Sequence, residues 1–215
     1  MRQFHYIAGA LCLLFANLTH AYPSCPKNIL NFYECQRYVE NKVVADFPKS
    51  FTRTGGKLTV KLSNGKALTF ENAQANTSAE NYVDYALVRY FPDINYSVLY
   101  KQYYEGGSYD LINMASGKTL EIWGNAEMSP DKRRLAIFNW FEQRPLGFAI
   151  YLVTDNGLVQ EFKSEELAME AKWQNATTVD VHLYDEVHGD RKAVAKLENA
   201  TQGKMKEWKF EITAK

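Results

Sequence analysis

The chain has 215 residues, 46% hydrophobic and 23% charged, with 25 basic and 25 acidic side chains and a formal net charge of zero. That length suits one domain able to bury a real core. The even charge balance argues against the basic surface that nucleic acid requires.

In chain order, the first signal is an export signal. Arg2 supplies a positive start, Ile7 to Ala16 a nearly unbroken apolar stretch, and Thr19-His20-Ala21 a small-x-small cleavage site before Tyr22. The stretch is shorter than the roughly 20 apolar residues of a membrane span, and no later segment approaches that length. The expectation is a cleaved signal over residues 1–21, then a single β-rich domain over 22–215 in the periplasm, without a transmembrane anchor. Arg2 is the one charge lost with the signal, so the remainder carries a net charge near −1.

Cys12 also leaves, and Cys25 and Cys35 remain. In an oxidising compartment two cysteines favour one disulfide. The other reading, a lipid-modified Cys25, lacks support because Tyr22-Pro23-Ser24-Cys25 has no leucine-containing context. A continuous helix would hold the two Cα atoms about 15 Å apart, whereas a disulfide needs about 4.4–6.8 Å. Residues 25–35 therefore cannot form one helix. Asn31-Phe32-Tyr33-Glu34 resembles a capping box, which predicts a helix from there to about Asp46, stopped by Phe47-Pro48. Phe32, Cys35, Val39 and Val43 fall on one of its faces. Closing so short a loop contributes about 2–3 kcal/mol on the chain-entropy account.

The period then changes to two. Leu58, Val60 and Leu62 alternate, Ser63-Asn64-Gly65-Lys66 turns, and Leu68 and Phe70 resume. A two-residue loop would set Leu68 against Lys61 and mix the faces. Either both faces are partly covered or the loop is longer. Ser78 to Arg89 reads as a short helix with Tyr82, Tyr85 and Val88 on one side. Strands are expected near 96–104, 108–114, 118–123, 133–140, 147–154, 158–163, 177–185 and 205–213. Gly106-Gly107, Ser116-Gly117 and Asp155-Asn156-Gly157 supply turns between several of them. Strands so closely spaced, with no helix between, predict antiparallel meanders. Tyr100, Tyr103, Tyr104, Tyr109, Trp123 and Trp140 read as core and sheet-face packing.

Met128-Ser129-Pro130-Asp131-Lys132-Arg133-Arg134-Leu135-Ala136 resembles the SPDGKxLA element of WD40-like and TolB-type β-propeller blades, with Lys132 where those families have glycine. The resemblance covers about residues 96–165. It implies a turn leading into a blade's inner strand, preceded by the outgoing strands of another blade. At about 40–45 residues per blade, residues 96–215 hold at most about three, and closed propellers need at least four. The expected fold is mainly β, α+β at the N-terminus: an antiparallel blade-like meander or curved sheets with one N-terminal helix, not a complete closed propeller.

Chemistry is sparsely signalled. His182 and His188 lack the spacing of a metal site, and no HExxH or CxxC pattern accompanies them. GxSxG, P-loop and dinucleotide fingerprints are missing. No cofactor, metal or catalytic residue is assigned. Glu105, Asp110, Glu121 and Asp131 lie in the most motif-like region and read as solvated faces and turns; paired-carboxylate chemistry is the other reading. Asn139 to Pro145 contains Trp140, Phe141 and Arg144, residue types enriched at binding hot spots. That loop is a structural anchor, a partner-binding loop or a sugar-stacking site. Sequons at Asn76, Asn95, Asn175 and Asn199 would accept glycans in a eukaryotic pathway. In the bacterium that the signal and the resemblance suggest, they are incidental. The expected function is a non-catalytic periplasmic binding protein, an inhibitor or immunity protein acting on another envelope or secreted protein. The alternative is a cell-envelope glycan-binding module or hydrolase.

Overall fold

A computed structural model describes residues 25–26, 28–29, 31–74, 77–122, 124–138, 147–185, 187–198 and 207–213. The chain enters through helix α1 (Phe32–Asp46), capped as its sequence demands. Asn31 is extended, and its Oδ1 accepts the N–H groups of Tyr33 at 2.9 Å and Glu34 at 3.3 Å. Cys25 and Cys35 form a disulfide across this start, with Cα atoms 5.4 Å apart.

Four antiparallel sheets follow among the described residues, each a meander of consecutive strands. The first contains β1 (Phe51–Thr54), β2 (Lys57–Lys61) and β3 (Ala67–Glu71). Leu58 faces Phe70 and Val60 faces Leu68, so residues 62–66 form the longer loop and all four side chains share one face. The second sheet contains β4 (Val83–Phe91), β5 (Tyr96–Tyr103), β6 (Gly106–Asn113) and β7 (Thr119–Ile122). The third contains β8 (Asn125–Met128), β9 (Arg134–Phe138), β10 (Phe148–Thr154) and β11 (Gly157–Ser164). The fourth contains β12 (Ala168–Asn175), β13 (Thr178–Asp185), β14 (Gly189–Glu198) and β15 (Glu207–Thr213). Among the described residues the fold is mainly β with one α-helix at the N-terminus, and its sheets close into neither a barrel nor a propeller ring.

Three cores lie between the layers. Val39, Val43, Phe51, Leu58, Leu87, Leu99 and Ile112 join α1, the first sheet and the second. Ala86, Val98, Tyr100, Leu111, Leu135 and Ile137 join the second sheet to the third. Ala136, Phe138, Phe148, Val181, Leu183 and Ala195 join the third to the fourth. Each fully buried Phe, Leu or Ile contributes about 1.5–3 kcal/mol of transfer free energy. A strand with cores on both sides must be apolar on both faces. Tyr96 to Tyr100 and Arg134 to Phe138 are accordingly buried at every position. The fourth sheet has one covered face. Its Val179, Val181 and Leu183 point inward, between the outward Asp180, His182 and Tyr184. Its charged outer face ends the stack, as terminal repeats do in open arrays.

The first strands of the last three sheets are close neighbours. Arg89 of β4 donates Nη1 to the Ala126 carbonyl of β8 and pairs with Glu127 at 2.8 Å. Trp173 of β12 donates Nε1 to the Glu127 carbonyl at 3.1 Å. In the turn before β9, Ser129 Oγ donates to Asp131 at 2.6 Å and accepts the Arg134 N–H at 2.9 Å. Lys132 sits in this turn at φ 60°, in the left-handed region that favours glycine.

The segment expected as a helix over Ser78 to Arg89 is instead a short 3-10 turn, Ala79–Asn81, followed by β4. Two features disguise this strand. Both faces are at least partly buried, and a bulge between Leu87 and Arg89 shifts the alternation. β1, β8, β12 and β14 were not anticipated either. β8 is four residues long, and β12 and β14 bury small alanines where strong strand formers would be expected.

Candidate functional site

The edge of β4 left open by β5 is covered by side chains rather than by another strand. Glu40 of α1 is 1% exposed, and its Oε2 accepts the Leu87 N–H at 2.8 Å. Asn72 Oδ1 accepts the Tyr85 N–H at 3.0 Å, and Arg53 Nη2 donates to the Tyr85 carbonyl at 2.7 Å. Arg53 also grips Glu40 with two bonds of 2.8 and 2.7 Å. Arg37 bridges Glu40 at 3.1 Å and Asp84 at 2.6 Å. Two cations and two buried carboxylates thus lock α1 onto the first two sheets without excess charge.

On this braced corner lies a groove of about 420 Å³, lined by Tyr33, Tyr82, Gln102, Tyr103 and Tyr104 with Thr77 and Ala79. That volume lies within the ordinary range of ligand pockets, about 300–1,000 Å³. Three elements converge there: the first turn of α1, the 3-10 turn before β4, and the β5–β6 hairpin tip. Tyr103 pairs with Gly106, leaving a two-residue loop of Tyr104 and Glu105. Gly106 has φ +98°, which a side chain would oppose.

Gln102 stiffens this tip. Its Nε2 donates to the carbonyls of Tyr103 and Gly106, both at 2.7 Å, and its Oε1 accepts the Tyr100 hydroxyl at 2.6 Å. Gly107 lies so close to the Tyr100 hydroxyl that a Cβ there would collide with it. Phe32 meets Tyr100 edge-on at 5.3 Å, and Tyr100 meets Tyr109 at 4.8 Å. Burial pushes the Tyr100 hydroxyl up to about 12 and raises Tyr109 as well. Tyr33 is raised by its own desolvation and by the neighbouring Asp84 carboxylate.

Tyr104 is 68% exposed, Phe32 45%, Tyr33 43% and Tyr103 40%. Of the tyrosines expected as core or sheet-face packing, Tyr100 and Tyr109 are buried, whereas Tyr103 at the end of β5 and Tyr104 in the turn are exposed. A sequence signal for this was available: Tyr103-Tyr104-Glu105-Gly106 spans a turn, where side chains project from the sheet. Comparison with family models, curated proteins and solved structures found no match. What the groove can do must be read from its own chemistry.

Trp140, Phe141, Arg144 and Trp123 lie outside the described residues. Three of the four carboxylates singled out by sequence have local partners. Asp110 and Glu121 are cross-strand neighbours on β6 and β7 and share Lys101 Nζ at 2.9 and 3.4 Å. Asp131 holds its turn, and Glu105 occupies the hairpin tip. His182 lies 2.9 Å from Asp190 on the outer face of the fourth sheet. His188 lines a shallow depression with Glu166 and Arg191, which pair at 2.6 Å. Among the described residues, no group of three or more His, Cys, Asp or Glu side chains could hold a metal ion. No described helix is long and apolar enough to cross a membrane.

Proposed function

We propose that this chain is a non-catalytic periplasmic binding protein that docks on another envelope or secreted protein, as an inhibitor or immunity protein does. The observation that carries this reading is the set of solvent-facing tyrosines at one corner, held by a rigid, ion-paired and disulfide-stapled scaffold. Tyrosine is a preferred hot-spot residue because it buries a large, stiff, amphipathic surface at low entropic cost. The apolar stretch before Tyr22 supports export. The stacked four-stranded meanders and the Ser129–Asp131 turn support kinship with propeller blades, although kinship of fold assigns no activity.

A second reading has one observation in its favour. A tyrosine groove with Gln102 at its wall suits stacking against sugar rings, hence an envelope-glycan module. Affinity capture from periplasmic extract, read by mass spectrometry, separates the two when run beside retention on peptidoglycan. The expected result is one enriched protein that is lost with Tyr103→Ala/Tyr104→Ala while the melting temperature is unchanged. Retention on peptidoglycan without any captured protein would overturn the protein-docking reading.

A further inference from the structure

We propose that the tyrosine groove receives a lysine or arginine side chain from a basic segment of the protein partner. This rests on the groove being the docking site and specifies the chemistry that it recognises. No Asp, Glu, Lys, Arg or His lines the groove, and four of its lining residues are tyrosines. The face of an aromatic ring is electronegative and attracts cations, most strongly where water is displaced. The molecule already makes this contact internally: the Arg37 guanidinium lies 5.1 Å from the centre of the Tyr33 ring.

The surroundings favour a cation over an anion or a neutral ligand. Each segment that forms the groove carries an exposed glutamate adjacent in sequence to a lining residue: Glu34 after Tyr33, Glu80 after Ala79, and Glu105 after Tyr104. Among the described residues these three carboxylates enter no ion pair. The nearby cations are neutralised, Arg37 by Asp84 at 2.6 Å and Glu40 at 3.1 Å, and Lys101 by Asp110 at 2.9 Å and Glu121 at 3.4 Å. The balanced network beneath therefore leaves the rim with net negative charge, which steers a basic segment toward the aromatic faces. A neutral sugar gains no long-range attraction from these carboxylates, and an acidic peptide would be repelled.

The test titrates the disulfide-intact protein with fluorescent hexalysine, hexaglutamate and a neutral N-acetylglucosamine oligosaccharide at two salt concentrations. Hexalysine is expected to bind, more weakly at higher salt, and hexaglutamate not to bind. Tyr104→Phe should retain binding because the ring face is kept. Tyr104→Leu, which keeps apolar bulk alone, should weaken it about tenfold, equivalent to about 1.4 kcal/mol. Glu80→Gln/Glu105→Gln should weaken it and flatten its salt dependence. Glu211→Gln, on the last strand, should change nothing. Hexalysine binding that is absent, or equal in the wild type and Tyr104→Leu, overturns the inference. If the Tyr103→Ala/Tyr104→Ala variant still loses its captured protein, docking at the groove stands and only the cationic chemistry fails. Saturable oligosaccharide binding that is insensitive to salt and lost with Tyr104→Leu overturns both.

Discussion

Glu40→Gln is the sharpest probe of how the helix is held. The carboxylate accepts from Arg37 Nη1 at 3.1 Å, Arg53 Nε at 2.8 Å, Arg53 Nη2 at 2.7 Å and the Leu87 N–H at 2.8 Å. A glutamine keeps the shape but offers one acceptor oxygen. Whichever way its amide turns, the NH2 group faces two donors. Arg53, with a side chain 14% exposed, also loses its counter-charge. Breaking one side of a buried pair costs about 3–5 kcal/mol, a large share of a typical stability of about 5–15 kcal/mol. At about 2–4 °C per kcal/mol for a chain of this size, the melting temperature should fall by about 6–20 °C. Urea titration followed by far-UV circular dichroism gives the free energy, and a thermal scan gives the temperature. Glu198→Gln, which removes the exposed partner of Lys209, is the control and should leave the melting temperature close to that of the wild type. A Glu40→Gln protein within 1 kcal/mol of wild type would show that the network does not hold the helix.

Other expectations follow from single features. The oxidised protein should show no titratable thiol from Cys25 or Cys35 under denaturation, and Cys25→Ser/Cys35→Ser should lose about 2–3 kcal/mol, read by urea titration. Lys132→Gly should be at least as stable as wild type, whereas Lys132→Val should lose about 1–2 kcal/mol, because a β-branched residue resists φ 60°; equal stabilities would refute the strain argument. Tyr100 and Tyr109 stay protonated in the folded protein above pH 10, where an unfolded tyrosine ionises. Their contribution is fully present below about pH 10 and is lost as the pH rises through about 12 for Tyr100, with Tyr109 later. Absorbance at 295 nm during an alkaline titration should show these late ionisations coinciding with unfolding.

Much of this architecture is legible in the chain because strands covered on both faces must be continuously apolar. Tyr96 to Tyr100, interrupted only by Ser97, and Leu135 to Phe138 announce themselves, with turn residues beside them. The helix is equally plain, since Asn31, Glu34 and Pro48 mark its ends and the cysteine spacing excludes an earlier start. What stays hidden depends on partners distant in sequence. Nothing near Glu40 foretells that Arg53 and the Leu87 amide neutralise and satisfy it. The Tyr82, Tyr85 and Val88 spacing mimics a helix until Asn72, Arg53 and Glu40 are seen to supply the missing edge bonds of a strand. The groove is hidden for the same reason, because three segments spread from Tyr33 to Tyr104 build it and none is distinctive alone.

The one-sided burial of the fourth sheet separates its fate from that of the tyrosine corner. Opening β12–β15 uncovers one core, the one containing Val181 and Trp208, and leaves Glu40, the disulfide and the tyrosine corner untouched. Amide exchange should therefore proceed from that end inward, with β13–β15 exchanging through partial opening and β5 and β9 only through global unfolding. Evolution could trim, replace or lengthen the last meander, provided its outward side chains stay charged, without disturbing the tyrosine corner proposed as the docking surface.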